Sequence, residues 1–292
     1  MIAALVPWFL ALLMFGMGLG LTPTDFYRIG QFPKAAAIGL CGQLILLPLS
    51  AFLLANLLPL RPEFAVGLCL LALCPGGALS NMFTYLARGD VALSVAMTAV
   101  SSLITVFTIP VGLNLALGYF TAGSAAISLP VGKTALQIML ITVIPVSAGM
   151  AVLARWPGVA AKAEIWVRRG NIMILPMIII AMLGAEGGKW FANLVTAGTL
   201  TIGFNLFTIA MGYALAKGFG LPQRRVKTLA IEVGAQNAML GVAIAASPTM
   251  LGDPVVAIVP SVYAVTMVFL LAAYVIGLNR KTGVVSEAQD SH

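Results

Sequence analysis

Apolar stretches near the length that crosses a bilayer recur along this chain, and nothing else limits its fold so strongly. About 20 apolar residues in a helix span the hydrocarbon layer, where every backbone N–H and C=O must be paired within the protein. Nine such segments can be read, at roughly 2–21, 35–59, 65–85, 91–119, 134–153, 171–186, 191–216, 226–247 and 254–278, with ends placed to about three residues. The chain is 61% hydrophobic and 9% charged, whereas a soluble domain carries about a quarter charged residues. No series of short alternating segments suggests a membrane barrel. The expected fold is therefore an all-α polytopic membrane protein. Residues 2–21 lack a basic start and run straight into Thr22-Pro23-Thr24-Asp25. They are read as a membrane helix, not a cleaved leader.

A net charge of +7 needs no nucleic acid to explain it. Of the 16 Lys and Arg, all but Arg61, Lys133 and Lys189 fall in loops on one side of the nine-helix topology. By the positive-inside rule that side is cytoplasmic. The N-terminus is then outside, and residues 279–292 form a cytoplasmic tail. A bacterial inner membrane is the expected location. The three cysteines sit in apolar runs without CxxC spacing, and the one histidine is His292. No structural metal site is expected. Nothing in the sequence calls for an obligatory protein partner.

Two spans are interrupted. The third breaks at Pro75-Gly76-Gly77 and then presents Ser80-Asn81; the eighth breaks near Gly234 and presents Gln236-Asn237. Each is followed by one further span. In the topology above the third runs inward and the eighth outward, the pattern of inverted repeats whose broken helices mark a binding site. The repeats would be 1–119, lacking one helix, and 120–278.

Of nine acidic residues, eight fall in loops, at helix ends or in the tail, and only Glu232 lies inside a span. A carboxylate in lipid requires a partner or a wet cavity. With no Lys or Arg expected at its depth, a cation or a proton is the simplest partner. The plain alternative is a shallow Glu232 that caps the start of its helix, since Lys227 is nearby. A hard monovalent cation prefers oxygen ligands. Ser94 and Thr98 share a helix face at i and i+4, Ser80 and Asn81 follow the first break, and Gln43 is an isolated amide. Each hydroxyl alone more often bonds back to its own helix, and each glycine alone more often serves close packing. Freed N–H groups at the starts of the two half-helices favour an anion. No nucleophile, base and orienting group occur together, so an enzyme is not expected.

The segments Cys74-Pro75-Gly76-Gly77-Ala78-Leu79-Ser80-Asn81, Thr84-Tyr85-Leu86-Ala87-Arg88-Gly89-Asp90 and Ile231-Glu232-Val233-Gly234-Ala235-Gln236-Asn237 resemble the bile acid:sodium symporter family. So does Met14-Phe15-Gly16-Met17-Gly18-Leu19. The resemblance implies a core domain with two crossing broken helices, a smaller panel domain of helices 2–21, 134–153 and 171–186, and two sodium ions. One sodium would be held by Ser80, Asn81, Ser94, Thr98 and Glu232. The other would be held by Gln43, Glu232, Gln236 and the carbonyls of Val233 and Ala235. Bacterial members often have a further helix at the start, and this chain is expected to lack it. Ala264-Val265 replaces a frequent His-Asn pair, and Ala78 a frequent Thr. The expected function is sodium-coupled symport of a small organic anion, less steroid-like than a bile acid, by rocking of core against panel. Gly77, Ala78, Asn81 and Asn237 are the expected substrate contacts. A sodium-independent facilitator or channel for organic acids is the alternative.

Overall fold

A computed structural model of the protein describes residues 8, 11–12, 14–121, 130–163 and 190–289. Every regular element among them is helical. After a helical turn at 14–18 come α1 (Pro23–Arg28), α2 (Pro33–Leu57), α3 (Pro62–Leu73), α4 (Ala78–Leu86) and α5 (Val91–Phe120). They are followed by α6 (Val131–Arg155), α7 (Trp190–Gly218), α8 (Gln223–Gly234), α9 (Ala238–Ala246) and α10 (Ile258–Gln289). Among the described residues there are 6 spans long and apolar enough to cross a membrane, or 7 if the bent pair α3–α4 is one span. Of the nine spans expected, 171–186 lies outside the described residues, and 2–21 lies partly outside them.

Local chemistry explains the helix ends. Pro33 and Pro62 open α2 and α3, where a missing N–H costs nothing. Asp90 caps α5 by accepting from Leu93 N–H at 3.3 Å. The last span starts at Ile258, later than 254, because Asp253 Oδ1 holds the N–H groups of Val255 and Val256 in a turn. Its helix runs on to Gln289, through most of the expected tail. Pro110 lies inside α5 without ending it. In α2, Pro48 has no N–H to offer the Leu44 carbonyl. The preceding turn, Gly42–Leu46, widens to a π turn in which Leu47 N–H bonds to Gly42 O. Such single π turns are rare and frequently mark functional positions.

The paired α8–α9 span is almost wholly enclosed, whereas the α2 and α6 spans leave most of their surface outside. Leu49, Leu53, Leu57, Leu136, Leu140 and Ile144 are exposed on those two helices, as lipid-facing apolar side chains are. The broadest packing joins α7 to α8 and α10, and α3 to α5. Residues 14–18 cross α6 at Gly18 and Gly149, where a side chain on either glycine would run into backbone of the other segment.

Candidate functional site

The two breaks meet. The helix pair α3–α4 turns by 65° across residues 74–77. Its freed Pro75 carbonyl accepts from Asn237 N–H, at the far end of the other break, at 2.7 Å. That second break spans residues 235–237, so Gly234 is the last helical residue of α8, not the break itself.

Glu232 stands in the last turn of α8, fully buried beside this crossing. Ser80 Oγ donates to its Oε1 at 2.7 Å. Ser94 Oγ also donates to Oε1 and reaches Asn81 Oδ1 at 2.8 Å. Thr98 Oγ1 lies 3.2 Å from Oε2. Thus α4, α5 and α8 bring together Ser80, Asn81, Ser94, Thr98 and Glu232. Among the described residues no Lys or Arg pairs with Glu232. Lys227 is buried, but its Nζ donates to Ala87 O at 3.0 Å. Glu232 is therefore not a cap at the start of its helix, and its hydroxyl partners do not merely bond their own helices.

Gln43, in the π turn, approaches from the other side. Its Nε2 lies 3.5 Å from the Glu232 carbonyl. Gln236 Nε2 donates to the carbonyl of Val233 at 3.0 Å. The carbonyl oxygens Gln43 Oε1 and Gln236 Oε1 are buried with no protein partner, which is costly unless something else meets them. Ala235 is buried between Glu232 and Gln236 in the break itself. Gly76 seals the arrangement. A methyl group added there would stand 2.9 Å from Glu232 Oε2 and 3.2 Å from both Gln43 Nε2 and Thr98 Oγ1. The absent side chain leaves a small space faced by the Glu232 carboxylate, the Thr98 hydroxyl and the Gln43 amide, and with the unpartnered oxygens of Gln43 and Gln236 nearby a monovalent cation fits its chemistry.

Of the four expected substrate contacts, Ala78 is exposed, Gly77 and Asn81 are half-buried, and Asn237 is buried. Asn237 Oδ1 is already used, accepting from Leu240 N–H at 3.1 Å as the cap of α9. Next to the crossing lies a narrow cleft, lined by Met14, Met17 and Leu21, by Ile138, Thr142, Val146 and Ser147 of α6, and by Pro75, Ala99, Ser102, Thr105 and Leu240. Its walls are mostly apolar, with hydroxyls from Ser102, Thr105, Thr142 and Ser147.

Two residues escaped the sequence reading. Asn205 Nδ2 and Tyr263 OH donate to the Gly234 carbonyl at 2.7 and 2.8 Å, replacing the helical partner lost at the second break. Asn205 is an isolated buried amide in an apolar run, the same signal that singled out Gln43.

A sequence model of the sodium bile acid symporter family matches residues 7–193. The chain belongs to the sodium bile acid symporter family. An uncharacterized sodium-dependent transporter of Bacillus subtilis is 35% identical over 254 residues, 84% of this chain and 74% of its own. A probable chloroplastic sodium/metabolite cotransporter of Arabidopsis thaliana is 32% identical over 282 residues, covering 94% of this chain and 66% of its own. The human ileal sodium/bile acid cotransporter is 33% identical over 235 residues, 79% of this chain and 66% of its own. The family model stops short of α8, while the Arabidopsis alignment covers nearly the whole chain. A member of the sodium bile acid symporter family is a membrane transporter and not an enzyme.

Proposed function

We propose that this protein is a symporter that moves a small organic anion together with sodium. The observation that carries the reading is Glu232: a fully buried carboxylate met by three hydroxyls from two other helices and, among the described residues, by no basic side chain. A charge in that position needs a counter-ion, and sodium is the ion that the names of the relatives share. Ser80, Asn81, Ser94, Thr98 and Glu232 would hold one ion. Gln43, Gln236, Glu232 and the carbonyls of Val233 and Ala235 would hold a second, with the orphaned amide oxygens turned to use. Sodium here is cargo, and its downhill movement supplies the work.

The substrate would lie in the neighbouring cleft. Its carboxylate would point at the crossing and meet Gly77, Ala78 and the amide groups of Asn81 and Asn237. Its apolar part would run between α5 and α6. Bound sodium strengthens the local positive field, so each ligand favours the other by the same factor. Residues 14–21 and α6 would form part of the moving panel, and the two halves 1–119 and 120–278 the inverted repeats that rock about the crossing. Residues 88–90 and 224–227 would face the cytoplasm of a bacterial cell. The test is uptake into proteoliposomes of monocarboxylates and bile acids, with a sodium gradient and with choline in its place. Uptake that needs sodium, falls for the neutral amide of the same acid, and weakens in Asn237→Ala is expected. Uptake that is unchanged in choline makes the protein a passive facilitator instead.

A further inference from the structure

One helical turn away from Glu232, α8 is bolted to the start of α5. Asp90 N–H donates to Thr228 Oγ1 at 2.8 Å, and the Thr228 hydroxyl also reaches Arg224 O at 3.0 Å within its own helix. Arg225 Nε pairs with Asp90 Oδ2 at 3.3 Å, and Arg224 Nη2 donates to Gly89 O at 3.3 Å. Lys227 Nζ closes the end of α4 through Ala87 O at 3.0 Å. Gly89 lets the pieces approach: a methyl group there would stand 2.8 Å from Thr228 Oγ1.

The register of these contacts matters. Thr228 and Glu232 are four residues apart on α8, and Asp90 and Ser94 four apart on α5, so each pair shares a helix face about 6 Å apart along the axis. The Asp90 carbonyl accepts from Ser94 N–H at 3.1 Å. A continuous path therefore runs from Thr228 through the Asp90 backbone to Ser94, whose hydroxyl meets Glu232. We infer that the Thr228–Asp90 bolt is a positioning device that fixes the register of α5 against α8 and so the spacing of the oxygens around Glu232. Thr228 touches neither carboxylate nor ion; it acts through Ser94. This rests on the proposed cation site at Glu232.

The experiment is a sodium titration of the purified full-length protein, with choline chloride holding ionic strength constant and the melting temperature as readout. Thr228→Val keeps the volume and removes the acceptor. The sodium concentration that gives a fixed rise in melting temperature should increase about fivefold to tenfold, the loss expected when one buried hydrogen bond no longer holds its partner. Thr228→Ser should restore it to within about twofold, which a defect of packing would not do. Thr228→Ala replaces the valine variant should that protein not be recovered. A sodium dependence of the melting temperature unchanged in Thr228→Val overturns the bolt, as does a serine variant that fails to rescue. Glu232→Ala is the control that separates the two readings: if it keeps the sodium shift, the cation site itself is wrong.

Discussion

The two breaks are built to opposite plans. The first, at residues 74–77, bends its helix pair by 65° and opens α4 on Gly77, with no side-chain cap. The second, at residues 235–237, leaves α8 and α9 near enough to straight to count as one span. It is closed by side chains: Asn237 caps α9, Gln236 folds onto Val233, and Asn205 with Tyr263 takes the Gly234 carbonyl. The first break supplies room, and the second supplies charge and ligands. Pro75, Gly76 and Gly77 offer no side-chain oxygen, yet Gly76 faces Glu232, Gln43 and Thr98. The difference teaches that substitutions at the first break should act by filling space and those at the second by leaving polar groups unpaired.

The largest effect is expected where the two plans meet. Glu232→Ala removes the carboxylate at the crossing, and sodium should then no longer raise the melting temperature in choline-balanced buffer. The variant should remain folded, because an unpaired buried charge disappears with the side chain. A full sodium shift in this variant would mean that the ion binds elsewhere.

A second test uses the first break against itself. Gly76→Ala places a methyl group 2.9 Å from Glu232 Oε2, while Gly77→Ala meets nothing nearer than the Asn237 Cα at 3.7 Å, an ordinary contact. Gly76→Ala should weaken apparent sodium affinity by at least about tenfold, roughly 1.4 kcal/mol. Gly77→Ala should leave sodium alone and, if anything, change substrate uptake. Equal effects of the two alanines on sodium would show that the break is merely a flexible joint.

Much of this was legible in the sequence. Pro75-Gly76-Gly77 inside an apolar run cannot stay helical at membrane depth, and Glu232 cannot stay unpartnered there. Both conclusions follow from local chemistry. Ser94 and Thr98 were placed on one face by helix period alone. What could not be read depends on partners far apart in the chain. Gln43 and Glu232 are separated by 189 positions, and only the family resemblance put them in one site; the π turn that presents Gln43 precedes Pro48, which reads as an ordinary helix proline. Asn205 and Tyr263 belong to different spans, so their shared hold on Gly234 O has no sequence period. Lys227 looked like an interfacial charge, yet it is buried, because a helix C-terminus in another element offers it a carbonyl. Near-continuous apolarity identifies spans but not which face is inward.

A smaller effect should follow from Thr98→Val, which keeps shape and removes an oxygen. Thr98 Oγ1 faces Glu232 and lies 3.4 Å from Ser80 Oγ, so it is one donor among several. Half-saturation for sodium should rise several-fold, about threefold to fivefold, with unchanged expression. An unaltered titration would return Thr98 to the role of a packing hydroxyl and leave the carboxylate with its serines.

The smallest effect on sodium belongs to the second break. Tyr263→Phe removes one of the two donors to the Gly234 carbonyl, and Asn205 Nδ2 still reaches that oxygen at 2.7 Å. The carbonyl therefore stays paired, and the loss should be about 1 kcal/mol, the worth of a typical buried hydrogen bond. The melting temperature in choline should fall by a few degrees, while the increment added by sodium should stay nearly as in the parent protein. Asn205→Leu goes further, because it also removes the partner of the Tyr263 hydroxyl at 2.6 Å, and should lower the melting temperature more. If Tyr263→Phe instead erased the sodium increment as thoroughly as Gly76→Ala, the second break would be working by shape, and the division between a break that makes room and a break that provides ligands would be lost.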